Sequence, residues 1–134
     1  AKPGYECRQN LHYWKTEPYL AFGPSAHGYD GKIRWWNVRS LDEYLKHLQS
    51  EKSPIVKSEI LNSSMRYNEL LLNGLRLPIG VSQNKLTSFG LNSELNLTKT
   101  LSKWKNKLEI KKGRLKITDK GIPFTDSILA DLFV

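Results

Sequence analysis

Glycine and proline cut this chain into short pieces. Gly23-Pro24, Pro54, Pro78 with Gly80, Gly113 and Gly121 fall between its apolar patterns, so no element runs long, and helical and strand periodicities both occur within 134 residues. Short elements of both kinds imply an α+β fold.

The helical patterns are well signalled. Ser40 and Glu43 form a capping box, and Leu41, Tyr44, Leu45 and Leu48 recur at i, i+3, i+4 and i+7, so a helix starts there and its apolar stripe must pack on something. A polar stretch from Ser50 to Pro54 then interrupts the periodicity, which puts a domain boundary near residue 52 and divides the chain into 1–52 and 53–134. Ser64 is placed to cap a helix reaching about Arg76, with Tyr67, Leu70, Leu71 and Leu75 on one side. A third helix is expected from about Asn96 to Leu108, with Leu97, Leu101, Trp104 and Leu108 on one stripe and Lys99, Lys103 and Lys107 largely opposite. Ile110, Leu115 and Ile117 alternate around Lys112-Gly113, the pattern of a hairpin with a tight turn. After a further turn at Thr118, Asp119 and Gly121, Thr125 or Asp126 is expected to cap a last helix carrying Ile128, Leu129, Leu132 and Phe133. Near the start, Tyr19 to Phe22 reads as a buried strand closed by Gly23-Pro24.

Charge and cysteine content narrow the classes. A 39% hydrophobic share supplies a modest core, and 21 Lys and Arg against 13 Asp and Glu give a formal charge of +8, which favours an anionic partner. Much of that excess lies between Lys99 and Lys120, where nine cations face only Glu109 and Asp119. Helix, helix, hairpin and helix in that order resemble a winged helix, so phosphate contacts are one reading of the basic run and a solvated lysine face over the Leu/Trp stripe is the other. Asn106 is nearly alone there as a side chain suited to reading base edges, which argues against sequence-specific DNA binding. Cys7 is the only cysteine, so no intrachain disulfide and no all-cysteine metal site can form, and the composition suits a reducing, cytoplasmic setting. No apolar run approaches the ~20 residues of a membrane span, and none has the character of a secretion signal.

The stretch from Gln9 to Asn37 carries the candidate site. In its Gly23 to Gly28 loop, GPSAHG, two glycines with small Ser25 and Ala26 leave room for a ligand near the backbone, and His27 is the titratable group; an ordinary turn with a solvent-facing histidine has the same pattern. Tyr13, Trp14, Tyr19, Phe22, Tyr29, Trp35 and Trp36 form either a core or the wall of a site for a planar ligand. Asn10, His12, His27, Arg34, Asn37 and Arg39 interleave polar groups among these rings, as a pocket lining does. Cys7, in the turn-like KPGYEC context, has no obvious pairing partner and is read as a spare thiol.

Three runs, KPGYECRQNLHYW, YLAFGPSAHG and RWWN, resemble the region after the radical S-adenosylmethionine core in the oxygen-independent coproporphyrinogen III oxidase-like family, and its heme-chaperone branch more than the oxidase. NELLLNGLRLPIGV and LKITDKGIPFTDSILADLF are similar to the family's C-terminal domain. The resemblance thus covers nearly the whole chain. It implies the end of a partial (β/α) barrel followed by a winged-helix-like C-terminal domain.

The resemblance also implies what such a chain works with. Family members carry an N-terminal CxxxCxxC that binds a [4Fe-4S] cluster and S-adenosylmethionine, so this chain would be a C-terminal piece holding no complete cofactor, no metal site and no catalytic group of its own. Phe22, Gly23, Ala26 and His27 would lie near the adenosyl end of the cofactor. Asn10, His12, Tyr13, Trp14, Arg34 and Asn37 would contact the substrate. Partners implied are the N-terminal radical core of the same protein and an anionic tetrapyrrole, heme for a chaperone or coproporphyrinogen III for an anaerobic oxidase, with nucleic acid not among them. Arg34, Arg39 and the basic C-terminal part would pair with propionates. Three positions depart from the family pattern: Ala21 stands where glycine is usual, Gln9 where histidine precedes the asparagine, and His12 where asparagine is common. His27 and His12 are left as the imidazoles able to ligate iron.

Overall fold

The computed structural model describes residue 2, residues 4–90 and residues 93–134. These form two compact units, one of Glu17–Asn62 and one joining Ala1–Thr16 to Ser63–Val134.

The smaller unit is a three-stranded antiparallel sheet with one helix. Strands β1 (His27–Tyr29) and β2 (Ile33–Asn37) form a hairpin, helix α2 (Leu41–Gln49) follows, and β3 (Ile55–Ile60) adds to the other edge of β2. The hairpin turn is built by Asp30, whose Oδ1 accepts from the backbone N–H of Lys32 at 2.8 Å and Ile33 at 2.6 Å. Those bonds, Ile33's first, hold the Asp30 carboxyl below its ordinary value. The polar stretch at 50–54, read as a boundary, lies inside this unit, because β3 pairs with β2 from Ile33 opposite Ile60 to Asn37 opposite Ile55.

Two expectations fail here. Tyr19 to Phe22 forms no buried strand: Tyr19 makes one antiparallel bridge to Tyr29, and Leu20 and Phe22 are 71% and 80% exposed. A single bridged pair gives the segment one edge contact and nothing to bury its alternate side chains. Helix α2 does start as expected, with the Ser40 hydroxyl accepting from Glu43 N at 3.3 Å. Its apolar stripe, however, is uncovered, since Leu41, Leu45 and Leu48 are all exposed.

The larger unit has the conventional core. Helix α1 (Arg8–Trp14) groups with it, followed after the small unit by α3 (Ser63–Gly74), β4 (Val81–Ser82), α4 (Gln83–Thr87), α5 (Ser93–Lys103), the hairpin β5 (Leu108–Lys111) and β6 (Arg114–Ile117), and α6 (Thr125–Leu132). Tyr67, Leu70 and Leu71 from α3, Leu86, Leu97, Leu108, Leu115 and the Ile128, Leu129 and Leu132 face of α6 close one cluster. Helices α3 and α6 each contribute a stripe at helical spacing, as amphipathic packing requires, and α1 contributes no buried residue. The β sheet has the order β4-β6-β5, and its hairpin turns at Lys112 (φ 51°) and Gly113 (φ 69°), both left-handed, as a two-residue connection demands.

The long third helix does not reach Leu108. Helix α5 stops at Lys103, Asn106 takes φ 69°, and Leu108 opens β5 with its side chain still in the core. Asparagine tolerates that left-handed conformation, so the same apolar residue that continues a helical stripe on paper is delivered by a turn instead. The last helix is also capped differently. Its N-cap is Phe124 without a side-chain bond, Thr125 Oγ1 donates to Ile122 O at 2.8 Å within the preceding 3-10 turn, and Phe133 stays outside the core.

One polar joint ties α6 to the end of α5. Asp131 Oδ2 accepts from Trp104 Nε1 at 2.6 Å and pairs with Lys103 Nζ at 2.7 Å, while Thr100 Oγ1 donates to Asp131 O. The Lys103 contact first, then the indole, holds the Asp131 carboxyl below its ordinary value.

Candidate functional site

The GPSAHG loop is held from below by the residue that ends RWWN. Asn37 is 4% exposed, and its Nδ2 donates to Gly23 O at 3.0 Å and to Ala21 O at 3.5 Å. The Tyr44 hydroxyl of α2 accepts from Gly23 N at 3.1 Å. Backbone bonds complete the seam: Ser25 N donates to Val38 O and Asn37 N to Ala26 O. The two motifs are therefore one piece of structure. An amide is suited to this position because it donates to two carbonyls, one of which, Gly23 O, otherwise has only a long 3.4 Å bond from Ala26 N.

The glycines of the loop serve conformation and packing. Gly23 sits at φ 94°, and a Cβ there would meet nothing within 4 Å, so the backbone angle and not close approach demands glycine. Gly28 lies under the Trp35 indole, where a Cβ would come to 2.2 Å from two ring carbons. Ser25 shares the left-handed region at φ 59°.

Alternation along the strands sorts the remaining aromatics onto two faces. The registers His27 opposite Trp36 opposite Lys57, and Tyr29 opposite Arg34 opposite Glu59, put these six on one face. Gly28, Trp35, Ser58, Ile33 and Ile60 share the other. On the first face the His27 ring meets Trp36 edge-on with centroids 5.4 Å apart, Lys57 Nζ lies 5.3 Å from the Trp36 centroid, and Arg34 lies over Tyr29 at 5.9 Å. Arg34 also pairs with Glu59 at 3.6 Å. Tyr29 is buried under the bridge to Tyr19.

The sequence-derived residues thus fall into separate groups. Asn10, His12, Tyr13 and Trp14 occupy helix α1 of the larger unit. Gly23, Ala26, His27, Arg34 and Asn37 cluster in the smaller one, where Asn37 is a buried scaffold residue and Phe22 points its ring to solvent. Arg39 is exposed just beyond the end of β2. Sequence reasoning missed Lys57 and Tyr44, because pairing across 50–54 and a tyrosine reaching back 21 residues leave no local signal.

The basic segment is partly spent on internal contacts. Lys103 is paired with Asp131, Lys107 Nζ sits 3.5 Å from the Phe124 centroid, and Arg114 donates to Ile79 O and Gly80 O at 2.8 Å each. Asn106 stands in a turn, its carbonyl accepting from Thr118 Oγ1, and presents no helical recognition face. The C-terminal motif segments Leu75 to Pro78 and Ile117 to Ile122 line a groove of about 400 Å³, rimmed by the Arg76–Asp126 pair. No group of three or more metal-ligating side chains occurs among the described residues, Cys7 is exposed, and no described helix is long and apolar enough to cross a membrane.

Comparison with known proteins points one way. The heme chaperone HemW of Mycobacterium tuberculosis is 38% identical over 85 residues, 63% of this chain and 22% of that protein. The heme chaperone HemW of Lactococcus lactis is 30% identical over 129 residues, 94% of this chain and 34% of that protein. Among solved structures, the coproporphyrinogen III oxidase HemN of Escherichia coli, described as a radical SAM enzyme, superposes with a TM-score of 0.65 at 14% identity, over 88% of this chain and 29% of its own. The chain therefore spans about a fifth to a third of the length of these proteins. No family model matches it.

Proposed function

We propose that this chain, which belongs to the HemN/HemW type of coproporphyrinogen III oxidase-like proteins, is the C-terminal part of a heme chaperone that binds heme and passes it to an acceptor protein. The observation that carries this reading is the similarity to heme chaperones at 30–38% identity, one of them matched over 94% of this chain. In this reading the chain follows the radical core, with the larger unit after Ser63 as a winged-helix-like domain; the smaller unit, whose three strands are all antiparallel, does not carry the parallel strands of a (β/α) barrel. The whole protein is cytoplasmic.

The cofactors divide by fit. A [4Fe-4S] cluster needs several thiolates, and Cys7 is the one thiol here, so the cluster belongs to residues outside these 134 and no step is derived through it. S-adenosylmethionine would meet Phe22, Gly23, Ala26 and His27 along the loop. The N–H groups of Gly23 and Ser25 are already bonded within the unit, so the loop would offer shape and the His27 ring rather than a nest of free donors. Heme would find His27 as an imidazole on the smaller unit, while Arg34 is paired with Glu59 and would have to leave it to meet a propionate. Asn10, His12, Tyr13 and Trp14 lie on α1 of the other unit and are proposed as substrate contacts on the resemblance alone. What these residues do is bind and orient; none is asked to move a proton.

Reading the gene upstream of Ala1 tests the proposal cheaply. The expected result is an in-frame CxxxCxxC in a segment that extends the protein toward the length of its relatives. A start codon at or just before Ala1 would contradict it.

A further inference from the structure

We infer that the face of the small sheet built by His27, Trp36 and Lys57 is a binding site for a planar polycyclic carboxylate, with Lys57 as the residue that pairs with the acid. The inference rests on the tetrapyrrole reading for the identity of the ligand, but its geometry stands on the sheet alone.

The three residues lie in one cross-strand row, one from each strand. Two strand spacings separate the outer members by ~10 Å, so a single flat ring system can touch all three. The two ends of this face differ. At one, Tyr29 is buried beneath Tyr19, and Arg34 is committed to Glu59 and to the Tyr29 ring. At the other, His27 and Lys57 are exposed on either side of a half-buried indole. Among the described residues no carboxylate lies within 4.0 Å of Lys57 Nζ, and its contact is the Trp36 ring. The His27 nitrogens likewise have no hydrogen-bond partner among the described residues, whereas His47 Nδ1 on α2 is bonded to Ser53 O at 2.7 Å.

That arrangement suits one ligand class. An aromatic plane stacks on the indole in place of the lysine ammonium, which swings from the ring to a carboxylate at the ligand's edge and exchanges a cation–π contact for a charge-assisted hydrogen bond. A His27 N–H donates at the other edge. The opposite face of the sheet, with Ile33, Trp35 and Ile60, offers no cation and would not hold the acid.

Two probes test the site on the 134-residue chain: a metal-free porphyrin dicarboxylate, which removes iron ligation from the measurement, and 1-pyrenebutyrate, a planar acid unrelated to tetrapyrroles. Tryptophan quenching gives the Kd, and thermal melts verify that each variant is folded. Lys57→Glu and Trp36→Ala are each expected to raise the Kd of both probes at least about tenfold, and Lys57→Gln by a few fold, while Lys46→Glu, exposed on α2, leaves them unchanged. Porphyrin binding that is indifferent to Lys57 and Trp36 overturns the site and leaves the tetrapyrrole reading intact. Pyrenebutyrate binding that depends on both, with no porphyrin binding, upholds the site and overturns the tetrapyrrole reading. Binding of neither probe overturns the site.

Discussion

Gly80→Ala should destabilise the larger unit by about 3–5 kcal/mol, and lower its melting temperature by roughly 15–30 °C. Two costs combine at that position. Gly80 has φ 65°, where an L side chain loses about 1–2 kcal/mol. A Cβ there would also stand 2.2 Å from Leu115 O, a backbone atom of β6 that cannot give way without breaking the pairing of Val81 with Leu115. The turn is clamped besides by the Arg114 guanidinium on the carbonyls of Ile79 and Gly80. Gly90 provides the control. It has nearly the same angle, φ 63°, with nothing within 4 Å of its Cβ position, so Gly90→Ala should cost about 1–2 kcal/mol. Circular dichroism melts of the two variants measure the difference, and equal losses would show that the contact with β6 is not what holds the turn.

Asn37→Ala should free the GPSAHG loop at a cost of about 2 kcal/mol to the smaller unit. The substitution leaves Ala21 O without its side-chain donor and Gly23 O with only the long bond from Ala26 N, and weakening the bonds of half-buried acceptors in this way costs about 1–3 kcal/mol. Amide hydrogen exchange at Ser25 and Ala26 should quicken by ~5–30-fold, the factor that 1–2 kcal/mol of local opening carries. Asn37→Asp should do at least as much harm, since it sets a carboxylate against two carbonyls. Tyr44→Phe should be milder, because it removes one acceptor from one N–H. Unchanged exchange in Asn37→Ala would mean that the backbone bonds to Val38 and Ala26 suffice to hold the loop.

Local chemistry was readable in the sequence and distant pairing was not. The Ser40 cap, the Tyr67-Leu70-Leu71 stripe and the Lys112-Gly113 turn depend on residues within one or two helical turns, and they form where the pattern puts them. The end of α5 was misread because Leu108 fits both a helical stripe and the first position of a strand, and the left-handed angle at Asn106 decides between them. The strand after Pro54 was invisible as a partner of β2, since Ile55 to Ile60 carries Lys57, Ser58 and Glu59 and looks like a polar segment. That is also why Lys57 escaped notice as a neighbour of Trp36. The exposed stripe of α2 is a further case: its pattern demands a covering, and no buried residue of α2 occurs in these 134 residues. In the candidate site, the residue types of GPSAHG and RWWN were legible, while the division of labour was not. Asn37 builds the loop, Gly28 makes room for Trp35, and His27 with Trp36 faces outward.

The central claim is that the protein handles heme rather than oxidising a porphyrin precursor. The direct measurement is anaerobic reconstitution of the full-length protein with iron, sulfide and S-adenosylmethionine, followed by presentation of heme and of coproporphyrinogen III in turn. The account predicts saturable heme binding in the Soret band and no protoporphyrinogen product, and formation of protoporphyrinogen from coproporphyrinogen III would contradict it.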